Sequence, residues 1–183
     1  QQKINEHKAG KTFRVWSAAA SSGQEAYSIA MLLAENFGMS GWEIVGSDIS
    51  ERILDVAINA TYPIEQASQV SDVYLKNYCL KGVNASEGKF CIRPEILRNV
   101  RFLRVNLNEN IPQSLGLFDV IFLRNVMIYF DKPTRQQVAE RLAKFLKPHG
   151  NLVIGHAESL HGITTVLKTV KPTIYAIATT THD

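Results

Sequence analysis

Five places in this chain carry side chains that could do chemistry, and each follows a stretch that reads as a β-strand. Asp48 closes the run Glu43–Ser47, about 25 residues after Gly23. There an open α/β fold puts the acid that accepts hydrogen bonds from ribose hydroxyls. A helix-start acid favoured by the dipole is the other reading. Glu25 stands beside a turn of small residues, 17–23. It reads either as the far half of a capping box with Ser22, or as a carboxylate that holds an ammonium group. Asn106 ends the run Val100–Val105, where a side-chain amide could read adenine or simply turn the chain. Arg124-Asn125 and Tyr129 follow the apolar run Phe118–Leu123. Polar groups straight after a buried strand belong to a substrate crevice, although the Tyr129 ring could equally pack inward. His156 and Glu158 follow a fifth run, Asn151–Gly155, and His156 reads as a satisfied structural histidine.

The elements that must position these groups begin with Phe13–Ser17, a strand that runs into Ala18-Ala19-Ala20-Ser21-Ser22-Gly23. Small side chains there, Gly23 included, let a ligand approach the backbone and meet the free N–H groups of a helix N-terminus. Gly23 alone does not make the G-x-G-x-x-G pattern. In the helix after it Ala26, Ile29, Ala30, Leu33 and Phe37 share one face. Ser22-x-x-Glu25 starts that helix as a capping box, and Gly38 and Gly41 end it. Ser50 caps a second helix that buries Ile53, Leu54, Ala57 and Ile58, and Tyr62-Pro63 stops it. This β-α-β-α order implies a parallel sheet with right-handed crossovers.

Residues 64–99 break that rhythm. Val73–Leu80 reads as helical, Gly82 and Gly88 bracket a turn, and Lys89–Arg93 alternates like a strand. The stretch is long for a connection, and it predicts an inserted β-subdomain over about 73–99. A helix follows over Pro133–Leu146, its cations Arg135, Arg141, Lys144 and Lys147 reading as a solvated flank. Thr165–Ala178 reads as two strands about a turn at Lys171-Pro172. An antiparallel hairpin that closes a parallel core is the finish of the class I methyltransferases.

With 183 residues, 45% of them hydrophobic, the chain is expected to form one domain over 13–183 behind a polar lead-in over 1–12. That lead-in, opening on Gln1, reads as the remnant of a longer protein. A net charge of +3 is too mild to argue for nucleic acid. Cys79 and Cys91 give neither a disulfide framework nor a metal pattern, and a reducing cytoplasm is the default. No apolar run approaches the ~20 residues of a membrane span. No Ser-His-acid set is in place.

Arg14-Val15-Trp16-Ser17-Ala18-Ala19-Ala20-Ser21-Ser22-Gly23-Gln24-Glu25-Ala26-Tyr27-Ser28-Ile29-Ala30 resembles the first motif of the chemotaxis receptor methyltransferases, the CheR family. Ser47-Asp48-Ile49, Val105-Asn106-Leu107, the run from Arg124 to Asp131, Gly155-His156-x-Glu158-Ser159 and Pro172-Thr173-Ile174-Tyr175 are similar to later motifs, in order. The resemblance implies an α/β, Rossmann-like class I fold, with a mostly parallel seven-stranded sheet and a small inserted β-subdomain. It implies transfer of a methyl from S-adenosyl-L-methionine to glutamate side chains on the cytoplasmic helices of chemotaxis receptors, releasing S-adenosyl-L-homocysteine. Glu25 would hold the methionine part of the cofactor and Asp48 the ribose. Asn106 and Leu107 would frame the adenine, Gly23, Arg124 and Asn125 would line the cofactor, and Tyr129 would face the reacting methyl. Gln24 and Ala26 stand where the family has Glu and Pro, and Gly82-Val83-Asn84 lacks the second glycine of receptor-docking members. Nothing matches the family's helical N-terminal domain or its T-x-F-F-R-like segment. A non-catalytic cofactor-binding or receptor-docking module is therefore the alternative.

Overall fold

The computed structural model describes residues 10–178. Most of the 1–12 lead-in, like the last residues of the 13–183 domain, lies outside that range. Along the chain come strand β1 (Phe13–Ser17), helix α1 (Gln24–Phe37), β2 (Trp42–Asp48), α2 (Glu51–Asn59) and β3 (Thr61–Pro63). A 3-10 stretch, Ile64–Gln69, leads to α3 (Asp72–Tyr78), β4 (Cys79–Lys81) and β5 (Lys89–Ile92). Then follow α4 (Pro94–Leu97), β6 (Val100–Arg104), β7 (Phe118–Leu123), α5 (Lys132–Ala143), β8 (Leu146–Ile154), β9 (Leu167–Lys171) and β10 (Ile174–Ile177).

Seven strands form one sheet in the order β6-β2-β1-β7-β8-β10-β9. The first five run parallel, and β10 pairs antiparallel with both β8 and β9. This is the expected mostly parallel seven-stranded sheet with its closing hairpin. Alternate residues of each strand serve opposite faces. Val15 and Ile44 pack with Ala26, Ala30 and Met31 of α1. Trp16, Val45 and Ile121 pack on the other face with Val138 and Leu142 of α5. Because both faces are covered, β7 has no polar face, which is why it is an almost unbroken apolar run.

Several details depart from expectation, among them α3 ending at Tyr78 and α5 at Ala143, so that Leu80 and Leu146 pass into the strands that follow. The capping box does not form: Gly23 occupies the N-cap of α1 at φ 88° without a side-chain cap, and Ser22 Oγ bonds Gln24 Oε1 at 2.6 Å. Helix α2 is stopped by Ala60 in the left-handed region, while Tyr62 and Pro63 go into β3; its buried stripe is only Leu54 and Ala57, leaving Ile58 57% exposed. Strand β8 begins at Leu146, five residues early, because a register shift against β7 lets Pro148-His149-Gly150 sit within it.

The irregular stretch folds as a second, antiparallel sheet, β3-β5-β4, which takes in Thr61–Pro63 ahead of residue 73. Burial pushes the Cys79 thiol up to about 11, so it behaves as a small core residue. The cations beyond α5's apolar face are not simply solvated. Lys147 Nζ meets Asp119 Oδ2 at 2.7 Å, Arg135 Nε donates to the Phe130 carbonyl at 2.8 Å, and Arg141 donates to the Leu107 carbonyl.

Asp131 caps α5, its Oδ1 accepting from the Thr134 amide at 2.9 Å. Hydrogen bonds from the Thr134 side chain and then its backbone hold the carboxyl below the usual carboxylate range. The cap's contribution is therefore full above the pKa of the unfolded carboxyl and fades as pH falls through the depressed folded value. Asp131→Ala is expected to lower Tm at pH 7, and thermal scans should show the gap from wild type closing in acid.

Candidate functional site

The strand order reverses between β1 and β7, since β1 leads on to β2 and β7 to β8. Outside the carboxyl ends of strands at such a point an open sheet leaves a crevice. The chain leaving β1 is held in its neighbours' ladders for three more residues: the Ala18 amide donates to the Phe122 carbonyl and the Ala20 amide to the Ser47 carbonyl, each at 2.8 Å. It then turns sharply, with Ser21 at φ 49° and Gly23 at φ 88°. A Cβ on Gly23 would come within 3.0 Å of Ala57 Cβ and 3.1 Å of Phe102 Cζ, so both conformation and space require glycine.

Asp48 fixes the strained Ser21. Its Oδ2 accepts from the Ser21 amide at 3.0 Å and its Oδ1 from the Ser50 amide at 3.1 Å. One bond on each oxygen leaves half of the carboxylate's acceptor capacity for something else. The second sheet secures the same turn, because Tyr62 Oη donates to the Ser22 carbonyl at 2.7 Å. Burial, reinforced by Tyr27, drives the Tyr62 phenol far above its ordinary value and keeps it a donor.

Glu25 is not a cap. Its Oε1 accepts from the buried Ser17 hydroxyl at 2.8 Å, and its Oε2 pairs with Arg124 Nη1 at 3.0 Å. Residues 99 apart in sequence thus meet past the carboxyl ends of the paired strands β1 and β7. Asn106 makes a local turn, its Oδ1 accepting from the Asn108 amide at 3.0 Å and its Nδ2 donating to Glu109 Oε1 at 2.8 Å. It nonetheless borders a cleft of about 210 Å³, together with Ala18, Ala19, Asp48, Leu107, Val126 and Phe130.

Of the residues singled out from sequence, Asp48, Asn106 and Leu107 share that cleft. Gly23 forms the turn beside it, and Glu25 and Arg124 form the ion pair. Asn125, at φ 60°, begins the loop above. Tyr129 ends a single 3-10 turn, Met127–Tyr129, that buries Met127 and leaves Tyr129 80% exposed. A larger depression of about 530 Å³, between Arg141 of α5 and Ile177 of the closing hairpin, includes none of these residues.

His156, read as a satisfied structural histidine, is exposed. Its neighbour Glu158 is the residue that sequence reasoning undervalued. It is 9% exposed and accepts from four backbone amides: Asn125 at 3.1 Å, Val126 at 2.9 Å, Met127 at 2.8 Å and Gly155 at 2.7 Å. Gly155 is the signal that could have found it, since a glycine at a strand end marks close approach. A Cβ there would lie 2.6 Å from Glu158 Oε2. Among the described residues no group of three His, Cys, Asp or Glu could hold a metal ion.

A family model described as CheR methyltransferase, SAM binding domain, matches residues 1–176. The chain is 39% identical over 168 residues to a chemotaxis protein methyltransferase of Salmonella typhimurium, covering 91% of this chain and 58% of that protein. It is 39% identical over 170 residues to chemotaxis protein methyltransferase 2 of Pseudomonas aeruginosa, covering 92% and 61%. The chain thus spans about 60% of the length of these two relatives. Among solved structures, the CMeT domain of the citrinin polyketide synthase aligns at TM-score 0.51 with 16% identity, over 79% of this chain and 29% of that one, a likeness of fold.

Proposed function

Because the chain belongs to the CheR methyltransferase family, we propose that it is the catalytic domain, 13–183 with the small sheet inserted, of a protein-glutamate O-methyltransferase. Its substrates would be cytoplasmic helices of chemotaxis receptors, and its place the cytoplasm. Among the described residues no helix is long and apolar enough to cross a membrane. The family and the relatives' names favour this enzyme over a non-catalytic docking module.

The observation that carries the reading is the cleft at the strand-order reversal, with Asp48 in its wall. Its residues fit S-adenosylmethionine: Ala18 and Ala19 leave backbone approachable in the cleft wall, Gly23 makes the tight turn beside it, and Asp48 keeps acceptor positions unfilled. Asp48 would take the ribose hydroxyls. Leu107 and Val126 would flank the adenine, with the Asn106 amide at its edge. Glu25 would face the cofactor's ammonium group, its charge held in place by Ser17 and Arg124. When bound, the cofactor supplies a methyl group on a positively charged sulfur.

A glutamate carboxylate is already ionised at neutral pH, so the protein needs no general base to make a nucleophile of it. Its task is to strip water from that carboxylate and aim it. Tyr129, exposed on its 3-10 turn, is the group we assign to that aiming. Tyr129→Phe is expected to lower kcat about tenfold, the worth of one hydrogen bond made in the transition state. S-adenosylhomocysteine affinity should stay unchanged. Transfer of a radiolabelled methyl to a receptor cytoplasmic fragment measures the first, and calorimetry the second. Unchanged turnover would remove Tyr129 from the mechanism, and no labelling of receptor glutamates by wild type would defeat the substrate assignment.

A further inference from the structure

Glu158 is a buried carboxylate for which the chemistry above has no use. A carboxylate offers about four acceptor positions. Here backbone amides fill four, two on Oε1 from Val126 and Met127 and two on Oε2 from Asn125 and Gly155. A group so saturated has nothing left with which to take a proton from a substrate or to bind a ligand. What it can do is hold backbone. Three of its donors are consecutive amides leading into the 3-10 turn Met127–Tyr129, ahead of the first amides that turn satisfies, and Asn125 among them is left-handed at φ 60°. Asparagine tolerates that conformation, and the carboxylate fixes it.

We propose that Glu158 is a positioning residue, a clamp from the tip of β8 that sets the Arg124–Tyr129 segment over the cofactor cleft. The proposal rests on the reading that this segment borders the site. Arg124 precedes the clamped amides and reaches back to Glu25, while Val126 is clamped directly and walls the cleft. Releasing the clamp therefore loosens the ion pair and the wall together. Gly155 belongs to the device: a Cβ there would meet Glu158 Oε2 at 2.6 Å and Asn125 Oδ1 at 2.9 Å, so a side chain would drive the carboxylate off its donors.

The test compares Glu158→Gln, Glu158→Asp and Gly155→Ala with Lys147→Met, in the whole 183-residue chain. Lys147→Met breaks the Asp119 pair at the amino end of β7, far from the cleft. Glu158→Gln turns one oxygen into a donor facing two other donors. Amide exchange across 124–129 is expected to quicken about 100-fold in Glu158→Gln and Gly155→Ala, but not in Lys147→Met. Dissociation constants for S-adenosylhomocysteine, read by calorimetry well below each Tm, should rise about tenfold in Glu158→Gln and Gly155→Ala. Lys147→Met should stay within twofold of wild type although its Tm falls, and Glu158→Asp, which keeps the charge, should lie between. If Glu158→Gln and Gly155→Ala lower Tm and leave both exchange and affinity as in Lys147→Met, Glu158 is only a stabilising residue and the proposal fails. Should Glu158→Gln not fold, Gly155→Ala and Glu158→Asp decide on the same readouts. Wild type that binds no S-adenosylhomocysteine defeats the cofactor reading and with it the clamp's role at the site, and the exchange rates then decide the clamp itself.

Discussion

Asp48→Ala is expected to weaken S-adenosylhomocysteine binding about 100-fold, a loss of about 2.7 kcal/mol. Hydrogen bonds to a charged acceptor contribute about 1.5–3 kcal/mol each, more than neutral ones. Two such bonds to ribose hydroxyls would exceed the figure, but part of their worth is offset because water solvates this half-buried carboxylate in the free protein. A second term works in the same direction. The Asp48 carboxylate holds the Ser21 amide, and without it the left-handed Ser21 loses the partner that fixes the turn. Asp48→Asn separates the two terms: its amide oxygen can still accept from Ser21, while the charge is gone. It should bind about tenfold more weakly than wild type. Calorimetry on folded protein, checked by circular dichroism, reads both. An Asp48→Ala protein that binds within twofold of wild type would place the ribose elsewhere and undo the cofactor assignment.

The sequence made the parallel core legible because its signals are local. Phe118–Leu123 is apolar on both faces, and the small residues after Ser17 leave no side chains to fill the crevice. Where sequence reasoning faltered, a partner remote in the chain decided the outcome. Ser22-x-x-Glu25 has the letters of a capping box, but Ser17 and Arg124 claim Glu25, and Gly23 in the left-handed region makes the turn without a cap. Glu158 read as the acid beside a histidine, since its loop donors lie 31 to 33 residues upstream. Thr61–Pro63 is too short for an alternating pattern and becomes a strand only because Lys89–Ile92 pairs with it. Asn106 shows the converse: its turn was readable, whereas its place on the cleft depends on β6 lying beside β2.

Gly46→Ala is expected to destabilise the protein by about 3 kcal/mol, the upper end of what overpacking a core produces. Gly46 sits opposite Phe102 across β2 and β6, and the Phe102 ring lies over the glycine. An added Cβ would fall well inside 3.0 Å of two ring carbons and 3.3 Å from Ala20 Cβ. The ring cannot stay. It packs edge-on against Tyr27 at 5.7 Å between centroids, and it lies where a Gly23 Cβ would touch it, so it supports the turn from below. Displacing it gives up the aromatic pair, worth about 0.5–1.5 kcal/mol beyond area, and removes the floor under Gly23. For a chain of this size the expected fall in Tm is about 6–12 °C. Phe102→Ala tests the cause, since without the ring the alanine at 46 has room. The double substitution should then be less destabilised than the sum of the two single ones by more than about 1 kcal/mol, read from urea unfolding at constant slope. Strict additivity would mean that the ring and the glycine do not compete for the same space. Because both lie beneath the turn, the Gly46→Ala protein should also bind S-adenosylhomocysteine more weakly than its loss of stability explains, and the double variant should recover part of that affinity.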